Sequence, residues 1–369
     1  MAVAMPRERI TVWRQFDYVM GLFLLMVLVL GATAIFSAAG TGNRIEFVRQ
    51  VIYMAVGFGV LLYFSLTDYR SMGRLYGLTY GLMLLLLVLV RVAGHQVLGA
   101  QREINLGLFE LQASEISKLL MIIVLARFFN VRRDRIKSPM TLLLALALVV
   151  PPTLLILAQP DLGTAMVYVG IFLGISFMAG VPKRYLVAMV LVSAAALPLV
   201  VSRLQGYQQR RLITFLNPGL DPAGAGYNIL QAKIAVGSGG LFGKGFLTGT
   251  QGQLGFVPGR VTDFIFAIFS EEWGFVGAII LLVLFCVVLM RLLRAAHLAR
   301  DSFGALLAFG VATMIAFQVV VNVGMNIGVM PVVGIPLPFI SYGGSSMLTN
   351  MAAIGMVQSV IIHHKDMLF

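Results

Sequence analysis

The sequence predicts an all-α polytopic membrane protein with about ten transmembrane helices and one large structured extracytoplasmic loop. Of its 369 residues, 59% are hydrophobic and only 11% are charged, and the mean hydropathy is +0.94. A water-soluble domain of this composition would expose large apolar patches. Lipid is therefore expected to surround most of the outward-facing side chains.

The apolar residues fall into blocks of about 18–25, the length that a helix needs to cross about 30 Å of hydrocarbon. The first block is too long for the apolar core of a cleaved signal peptide, so it is expected to remain as a helix. The whole of 1–369 then forms one membrane domain. We place the spans near residues 16–37, 48–67, 74–93, 111–129, 140–158, 162–180, 184–201, 263–290, 304–328 and 344–362.

The distribution of Lys and Arg predicts the orientation of the chain. With the N-terminus in the cytoplasm, sixteen of the 27 Lys and Arg residues lie in cytoplasmic segments. Six of the others lie in one long loop, which the positive-inside rule does not count. Only five remain for the short outer segments, so both termini are expected in the cytoplasm.

Cysteine and histidine give no sign of a metal centre. The single cysteine, Cys286, excludes an intramolecular disulfide and any cluster built on several thiolates. The four histidines do not follow a metal-ligand spacing, so no protein metal site is predicted.

Residues 202–262 form an outer segment far longer than an ordinary connection between helices. Glycines alternate there with aromatic and aliphatic residues, which argues against disorder. The segment is strongly basic, and this favours a partner bearing phosphate, because guanidinium groups match phosphate oxygens. Attraction to anionic lipid headgroups is the alternative. The basic candidates are Arg210, Arg211, Lys233, Lys244 and Arg260, with Asp221 as the one acidic residue.

Neither a nucleotide nor a nucleic acid is the favoured anion for this segment. No phosphate-binding glycine loop follows a strand here. Nucleic acid is not expected beyond the membrane.

Asp263 follows the basic loop at the start of a strongly apolar helix. A carboxylate at the membrane interface is costly to ionise unless it is compensated, and such groups are retained mostly for function. We therefore interpret Asp263 as a candidate general base. The alternative is structural, because aspartate at a helix start is a good N-cap.

Further ionisable residues lie in apolar surroundings on the same side. Glu115 and Lys118 are three residues apart on one helical face and can form an intramembrane ion pair, as structural support or as part of a site. Glu271 and Glu272 lie about two turns beyond Asp263. At least one of these two is expected to pair with a cation.

Two connections on this side also contain polar residues. Pro160 ends one predicted helix, and Asp161 can cap the next. The proline-containing connection before the last helix includes Ser341 and has no charge. Irregular backbone at membrane depth is stable only when it is buried in protein or lines a cavity.

Taken together, several segments resemble the SEDS family of bacterial cell-wall polymerases, and the similarity extends over nearly the whole chain. Residues 249–251 and 334–338 are more similar to the RodA-like elongation branch than to the division branch. The sequence departs from the family pattern at Glu103, where a tryptophan is usual, and at Ala113, where a proline is usual. The segments that carry the resemblance are 159–165, 207–211, 221–227, 237–240, 262–266, 271–272 and 338–346.

The resemblance implies a peptidoglycan glycosyltransferase that acts on lipid II, releases undecaprenyl pyrophosphate and works with a class B penicillin-binding protein in the bacterial cytoplasmic membrane. It also implies that Asp263 is catalytic. A divalent cation such as Mg²⁺ or Mn²⁺ on the pyrophosphate is chemically reasonable, but no residue pattern specifies one. The candidate substrate-binding residues are Arg102, Glu115, Lys118, Asp161, Arg210, Arg211, Lys233, Lys244, Arg260 and Ser341.

The chief alternative function is a flippase or transporter of lipid-linked cell-wall precursors. Broken helices and intramembrane charges suit alternating access as well as catalysis. Against transport, the sequence shows no convincing internal repeat, and its charges concentrate at the outer face rather than at the midplane.

Overall fold

The computed structural model describes residues 15–40, 44–93, 95–97, 100–105, 110–203, 214–215 and 224–365. Within these ranges, ten helices have at least 18 residues, and they match the ten predicted spans. Seven of the ten satisfy the length and hydropathy of a membrane span by themselves. The predicted fold class, an all-α polytopic membrane protein, is therefore confirmed.

The ten long helices are joined by shorter elements. In chain order the helices are α1 (Tyr18–Ala39), α2 (Ile45–Leu66), α3 (Tyr69–Arg74), α4 (Tyr76–Ala93), α5 (Ala113–Val131), α6 (Pro139–Ala158), α7 (Leu162–Ala179), α8 (Lys183–Arg203), α9 (Ala225–Ser238), α10 (Thr250–Gln253), α11 (Ile265–Leu298), α12 (Ser302–Asn326) and α13 (Gly344–Ile362). Three short strands between α4 and α5, β1 (His95–Val97), β2 (Ala100–Asn105) and β3 (Glu110–Gln112), form an antiparallel sheet in the order β1-β2-β3.

Helices α13, α5 and α12 are the most deeply buried of the long helices. Helix α13 packs against α2, and α12 packs against α5, α7 and α11. Helix α11 also packs against α1 and α9. The polar loops at one end of this bundle are therefore supported at its centre by helices that are largely buried in protein.

The structure differs from the predicted boundaries in three places. The sheet was not predicted, because strands of three to six residues are too short for an alternating pattern to be recognised. The predicted loop 202–262 contains a 14-residue helix, α9, which packs against α11. Helix α11 extends to Leu298 instead of ending near residue 290.

The end of the bundle at which β1, β2, β3, 224–264 and 327–343 lie is called the loop end here. At the opposite end, Asp17 caps α1 by accepting the Met20 N–H at 3.0 Å and pairs with Arg291 at 2.6 Å. Nearby, the buried Tyr69 hydroxyl donates to Asp301 at 3.0 Å. Burial raises the pKa of Tyr69 to about 12, so this hydroxyl remains a donor at physiological pH.

Helix α11 is broken at Gly274, which has φ 66° and ψ −167°. A break of this kind releases two carbonyls before it and two N–H groups after it, and at membrane depth all four need partners. The glycine-rich segment after α9 supplies all of them. Lys244 and Gly245 donate their N–H groups to the carbonyls of Glu271 and Glu272 at 3.0 and 3.1 Å.

The two released N–H groups are satisfied by the same segment. Phe275 and Val276 donate to the carbonyls of Gly240 and Leu241 at 2.9 and 3.0 Å. The segment thus replaces one turn of the helical ladder and is attached to α11 by four main-chain hydrogen bonds. We call residues 239–247 the clamp segment.

The approach between the clamp segment and α11 requires glycine. A Cβ atom on Gly274 would lie 2.2 Å from the Gly243 nitrogen, and one on Gly243 would lie 2.0 Å from the Glu272 carbonyl oxygen. Both residues also have positive φ, which L-residues with side chains rarely adopt.

Gly274→Ala is expected to destabilise the protein by about 1–3 kcal/mol, because the left-handed conformation is strained and the new Cβ displaces the clamp segment. Gly81→Ala is the matched control, since a Cβ at this helical position meets nothing within 4 Å. The midpoint of thermal unfolding in detergent should fall for Gly274→Ala and stay the same or rise for Gly81→Ala. Equal midpoints would show that the break does not need glycine.

Candidate active site

The candidate general base, Asp263, lies in a tight turn at the loop end, immediately before α11. The N–H groups of Thr262 and Phe264 both donate to the Gly259 carbonyl at 3.1 Å. Helix α11 begins at Ile265, and its N-cap position is Phe264. Asp263 therefore lies one residue before the N-cap position.

Two asparagines of α12 hold the main chain of Asp263. The side-chain amides of Asn322 and Asn326 donate to its carbonyl at 3.1 and 3.0 Å. The Asn326 Oδ1 atom also accepts the Ala267 N–H at 3.1 Å, and Asn322 donates to the Ile335 carbonyl at 2.7 Å. Both asparagines are buried, so the backbone of Asp263 is fixed against the centre of the bundle.

The connection between α12 and α13 supports the turn from the other side. The Ser341 hydroxyl donates to the Thr262 carbonyl at 2.6 Å and accepts the Leu337 N–H at 2.8 Å. The Tyr342 N–H donates to the Val261 carbonyl at 2.8 Å. Ser341 is buried, so its hydroxyl positions the residue before Asp263.

Arg260 is the cation of the same turn, three residues before Asp263. Its Nη1 atom donates to the Gly252 carbonyl at 2.9 Å, at the end of the short helix α10. The side chain is half-buried, and one hydrogen bond uses only part of the donor capacity of a guanidinium. Arg260 therefore has donor capacity left for an anion at this turn.

Helix α10 is anchored to α11 by a buried carboxylate. Glu271, which is fully buried, pairs with the Lys244 ammonium at 2.6 Å. Its oxygens also accept the N–H groups of Gln251 and Gly252 at 3.0–3.2 Å. The expectation that one of the two adjacent glutamates pairs with a cation is confirmed. Lys244 is used in this pair and helps to fix the residue that binds Arg260.

Glu272 connects the same region to α1. It accepts a hydrogen bond from the Ser37 hydroxyl, and Gln253 donates to the Ser37 carbonyl and hydroxyl oxygens at 3.1 Å. Helices α1, α10 and α11 are thereby joined at one level of the bundle.

A second polar cluster lies at the loop end of α5 and α7. Lys118 and Glu115 form the predicted ion pair at 2.7 Å, with both side chains almost fully buried. Asp161 caps α7 by accepting the Thr164 N–H at 3.0 Å, and its other oxygen accepts the Ser114 hydroxyl at 3.1 Å. Asp161 therefore has the capping role that its sequence position suggested, and it also connects the two helices.

The two clusters are connected through the segment before α13. A Cβ on Gly163, in the first turn of α7, would lie 2.8 Å from the Val333 carbonyl oxygen, so α7 packs directly on this segment. The next residues of the segment include Ile335, whose carbonyl accepts the hydrogen bond from the Asn322 side chain. The Glu115–Lys118 cluster and the Asp263 turn thus share one supporting connection.

The remaining predicted residues are placed only in part. Lys233 is exposed on α9, and its side chain lies across Gly328, just beyond α12. Arg102 lies in β2, where the backbone alone is described. Arg210 and Arg211 lie outside the described residues.

Sequence reasoning missed Asn322 and Asn326. A signal was present, because Gln318, Asn322 and Asn326 repeat every four residues and so form one polar stripe on an otherwise apolar helix. Polar residues inside a transmembrane helix face the bundle interior and often belong to a functional site. Among the described residues, no group of three His, Cys, Asp or Glu could hold a metal ion.

Comparison with known proteins identifies the family of this chain. The family model for cell cycle proteins of the FtsW, RodA and SpoVE type matches residues 11–366. The chain belongs to the SEDS family. It is 41% identical over 354 residues to the peptidoglycan glycosyltransferase MrdB of Escherichia coli K12, covering 95% of this chain and 94% of that protein. It is 35% identical over 423 residues to the peptidoglycan glycosyltransferase RodA of Treponema pallidum, with 94% and 97% coverage.

Solved structures of SEDS proteins have the same fold. The rod shape determining protein RodA of Thermus thermophilus superposes with a TM-score of 0.70 at 31% identity, covering 95% of this chain and 97% of that one. A chain from a peptidoglycan synthase complex, described for its coordination of polymerization and crosslinking, gives a TM-score of 0.83 at 31% identity, with 95% and 99% coverage. The protein is a multi-pass inner-membrane member of the SEDS family.

Lys244→Met is expected to lower the stability by about 2–3 kcal/mol, because it leaves the Glu271 carboxylate buried without its cation. The expected loss of stability is smaller than for a fully enclosed ion pair, since the Lys244 side chain is 28% exposed. Lys233→Met, on the neighbouring helix, is the control and should change stability by no more than about 0.5 kcal/mol. Thermal unfolding of the two variants measures the difference; similar midpoints would contradict the assigned role of the pair.

Proposed function

We propose that this SEDS protein is a peptidoglycan glycosyltransferase that polymerises lipid II into β-1,4 glycan strands at the outer face of the membrane during cell elongation. The relatives named above carry that activity in their names. The observation that supports the site is the rigid turn at the loop end that contains both Asp263 and Arg260. A carboxylate and a guanidinium in one fixed turn suit a base and an anion-binding group for the same substrate.

In the proposed reaction, Asp263 acts as the general base. Its carboxylate takes the proton from the 4-hydroxyl of the acceptor's N-acetylglucosamine as that oxygen attacks the anomeric carbon of the donor's N-acetylmuramic acid. The bond from this carbon to the pyrophosphate oxygen breaks, and the electron pair leaves with undecaprenyl pyrophosphate. Attack opposite the leaving group converts the α-linked sugar phosphate to a β-linked glycan.

Cationic residues near the turn are proposed to bind the pyrophosphate. Among the described residues Arg260 donates one side-chain hydrogen bond, and Lys233 is exposed near the end of α12. Negative charge grows on the leaving group in the transition state, so fixed cations stabilise it more than the ground state. Arg210, Arg211 and Arg102 remain predicted members of the same basic surface.

The level of Asp263 in the membrane is consistent with a lipid-linked substrate. Every residue from Phe264 to Glu272 is buried in protein, and the lipid-facing surface of α11 begins at Trp273. Asp263 then lies roughly 12 Å beyond the start of that surface, at the level of the headgroups or just outside them. A sugar attached through a pyrophosphate to a membrane-embedded polyprenyl chain reaches this level.

The proposal also includes the orientation in the membrane, the protein partner and the role of a cation. The loop end faces away from the cytoplasm, and both termini are cytoplasmic. The partner is a class B penicillin-binding protein that crosslinks the strand. With Glu271 and Glu272 engaged elsewhere, a divalent cation would be held mainly by the pyrophosphate, and Asp263 could add a carboxylate ligand.

Reconstitution of the full chain with lipid II tests the proposed base. Asp263→Asn should reduce strand formation by about 10²–10⁴-fold, the usual contribution of a general base. Asp134→Asn, at an exposed position of the opposite end, is the matched control and should retain activity. Strand formation by Asp263→Asn at the control rate would reject the role. Lipid II movement across the bilayer without polymer would favour the flippase.

Asn326→Ala tests whether the position of Asp263 matters. The change removes a donor to the Asp263 carbonyl, and small displacements of a reacting group cost on the order of 10²-fold in turnover. The loss should appear in kcat more than in KM. Asn350→Ala, a buried asparagine of α13 that bonds to Ser346, is the control. It should lower thermal stability to a similar extent while keeping most of the turnover; equal loss of kcat would contradict the positioning role.

A further inference from the structure

The clamp segment carries a row of exposed apolar side chains outside the helix bundle. Leu241 and Phe242 are 64% and 80% exposed, and Phe246 and Leu247 are more than 40% exposed. Neighbouring apolar residues of this kind are unusual on a surface that meets water. We call these four residues the apolar ridge.

The hydrogen bonds to α11 fix the level of the ridge. Val276 donates to the Leu241 carbonyl, so Leu241 and Phe242 lie beside the first lipid-facing turns of α11. On that helix Phe275 is 60% and Ile280 is 52% exposed. The ridge is therefore continuous with the surface that α11 presents to lipid.

Two polar contacts mark the limits of the apolar region. The Asp17–Arg291 pair lies at one end of α1, and the Ser37–Glu272 hydrogen bond lies at the other. They are separated by about 30 Å of helix, which is the thickness of the hydrocarbon core. The ridge lies beside Glu272, at the outer border of that core.

The charged side chain and many main-chain polar groups of the clamp segment have partners within the protein. Its one charged side chain, Lys244, is neutralised by Glu271. Its main chain is bonded to α11, and the Gly243 N–H donates to the Gly239 carbonyl at 2.8 Å. A loop can enter the hydrocarbon border only if such groups are satisfied within the protein.

Aromatic residues surround the ridge at the same level. Phe246 stacks on Phe36 near the end of α1, with ring centroids 6.3 Å apart. Phe47, at the start of α2, meets Phe36 edge-on at 5.1 Å, and the Arg44 guanidinium lies over the Phe36 ring. Apolar rings can face the acyl chains while the guanidinium beside them reaches the headgroups, so this cluster suits the border between the two.

We propose that the apolar ridge is a membrane anchor that inserts into the outer leaflet, and that the acyl chains and headgroups of the lipid surface are its partner. The anchor holds the glycine-rich clamp at a fixed depth. Because α10 is bound to the same clamp through Glu271, the anchor also sets the level of Arg260 relative to the membrane.

Spin-label accessibility in lipid measures the depth of the ridge directly. The full chain carrying Cys286→Ser and Phe242→Cys is labelled with a nitroxide and reconstituted in vesicles of phosphatidylethanolamine and phosphatidylglycerol. Collision with oxygen, which partitions into lipid, is compared with collision with a water-soluble nickel chelate. Controls in the same Cys286→Ser background are Val192→Cys, on the exposed face of α8, and Lys137→Cys, in the exposed connection after α5.

The label at position 242 should be accessible to oxygen and protected from nickel, at a depth of about 5–10 Å below the boundary between headgroups and acyl chains. Its accessibility to the two reagents should thus be similar to that of the label at position 192 and different from that of the label at position 137. Access to nickel equal to that at 137 would place the ridge in water and overturn the proposal. Protection from both reagents would show that protein covers the ridge, which would also overturn it.

Discussion

A main-chain hydrogen bond that is broken inside a membrane must be replaced within the protein, and the break in α11 imposes this requirement on the structure. Gly274 interrupts the helix where its lipid-facing surface begins. Water is not available there to satisfy two carbonyls and two N–H groups. The clamp segment supplies all four partners. Part of the long predicted loop is therefore an integral part of a transmembrane helix.

This attachment explains how the polar groups of the loop end are held in place. Glu271 lies one turn before the break and binds both Lys244 of the clamp segment and the main chain of α10. Helix α10 in turn binds Arg260. From the bundle side, Asn322 and Asn326 hold the carbonyl of Asp263. The two sides of the turn are thus fixed independently, as expected for groups that act on a reacting bond.

Much of the fold could be predicted from the sequence, because transmembrane helices are defined by length and hydropathy. The ion pair of Glu115 with Lys118 could also be predicted, since a three-residue spacing places both on one face. The clamp segment could not be predicted, because it depends on main-chain contacts between segments about thirty residues apart. A glycine in the sequence indicates only that close approach is possible. Asn322 and Asn326 were predictable in principle from their four-residue repeat, but the groups they bind lie sixty residues away.

Amide hydrogen exchange across the break in α11 tests this account most directly. In the protein reconstituted in lipid nanodiscs, the N–H groups of Phe275 and Val276 should exchange as slowly as the uninterrupted turns of α11, because the clamp carbonyls accept them. Those of Lys244 and Gly245 should be protected to the same degree, although they lie in a loop. Exchange of these four amides as fast as that of the exposed residues 133–137 would show that the clamp does not replace the helical ladder, and the account would be wrong.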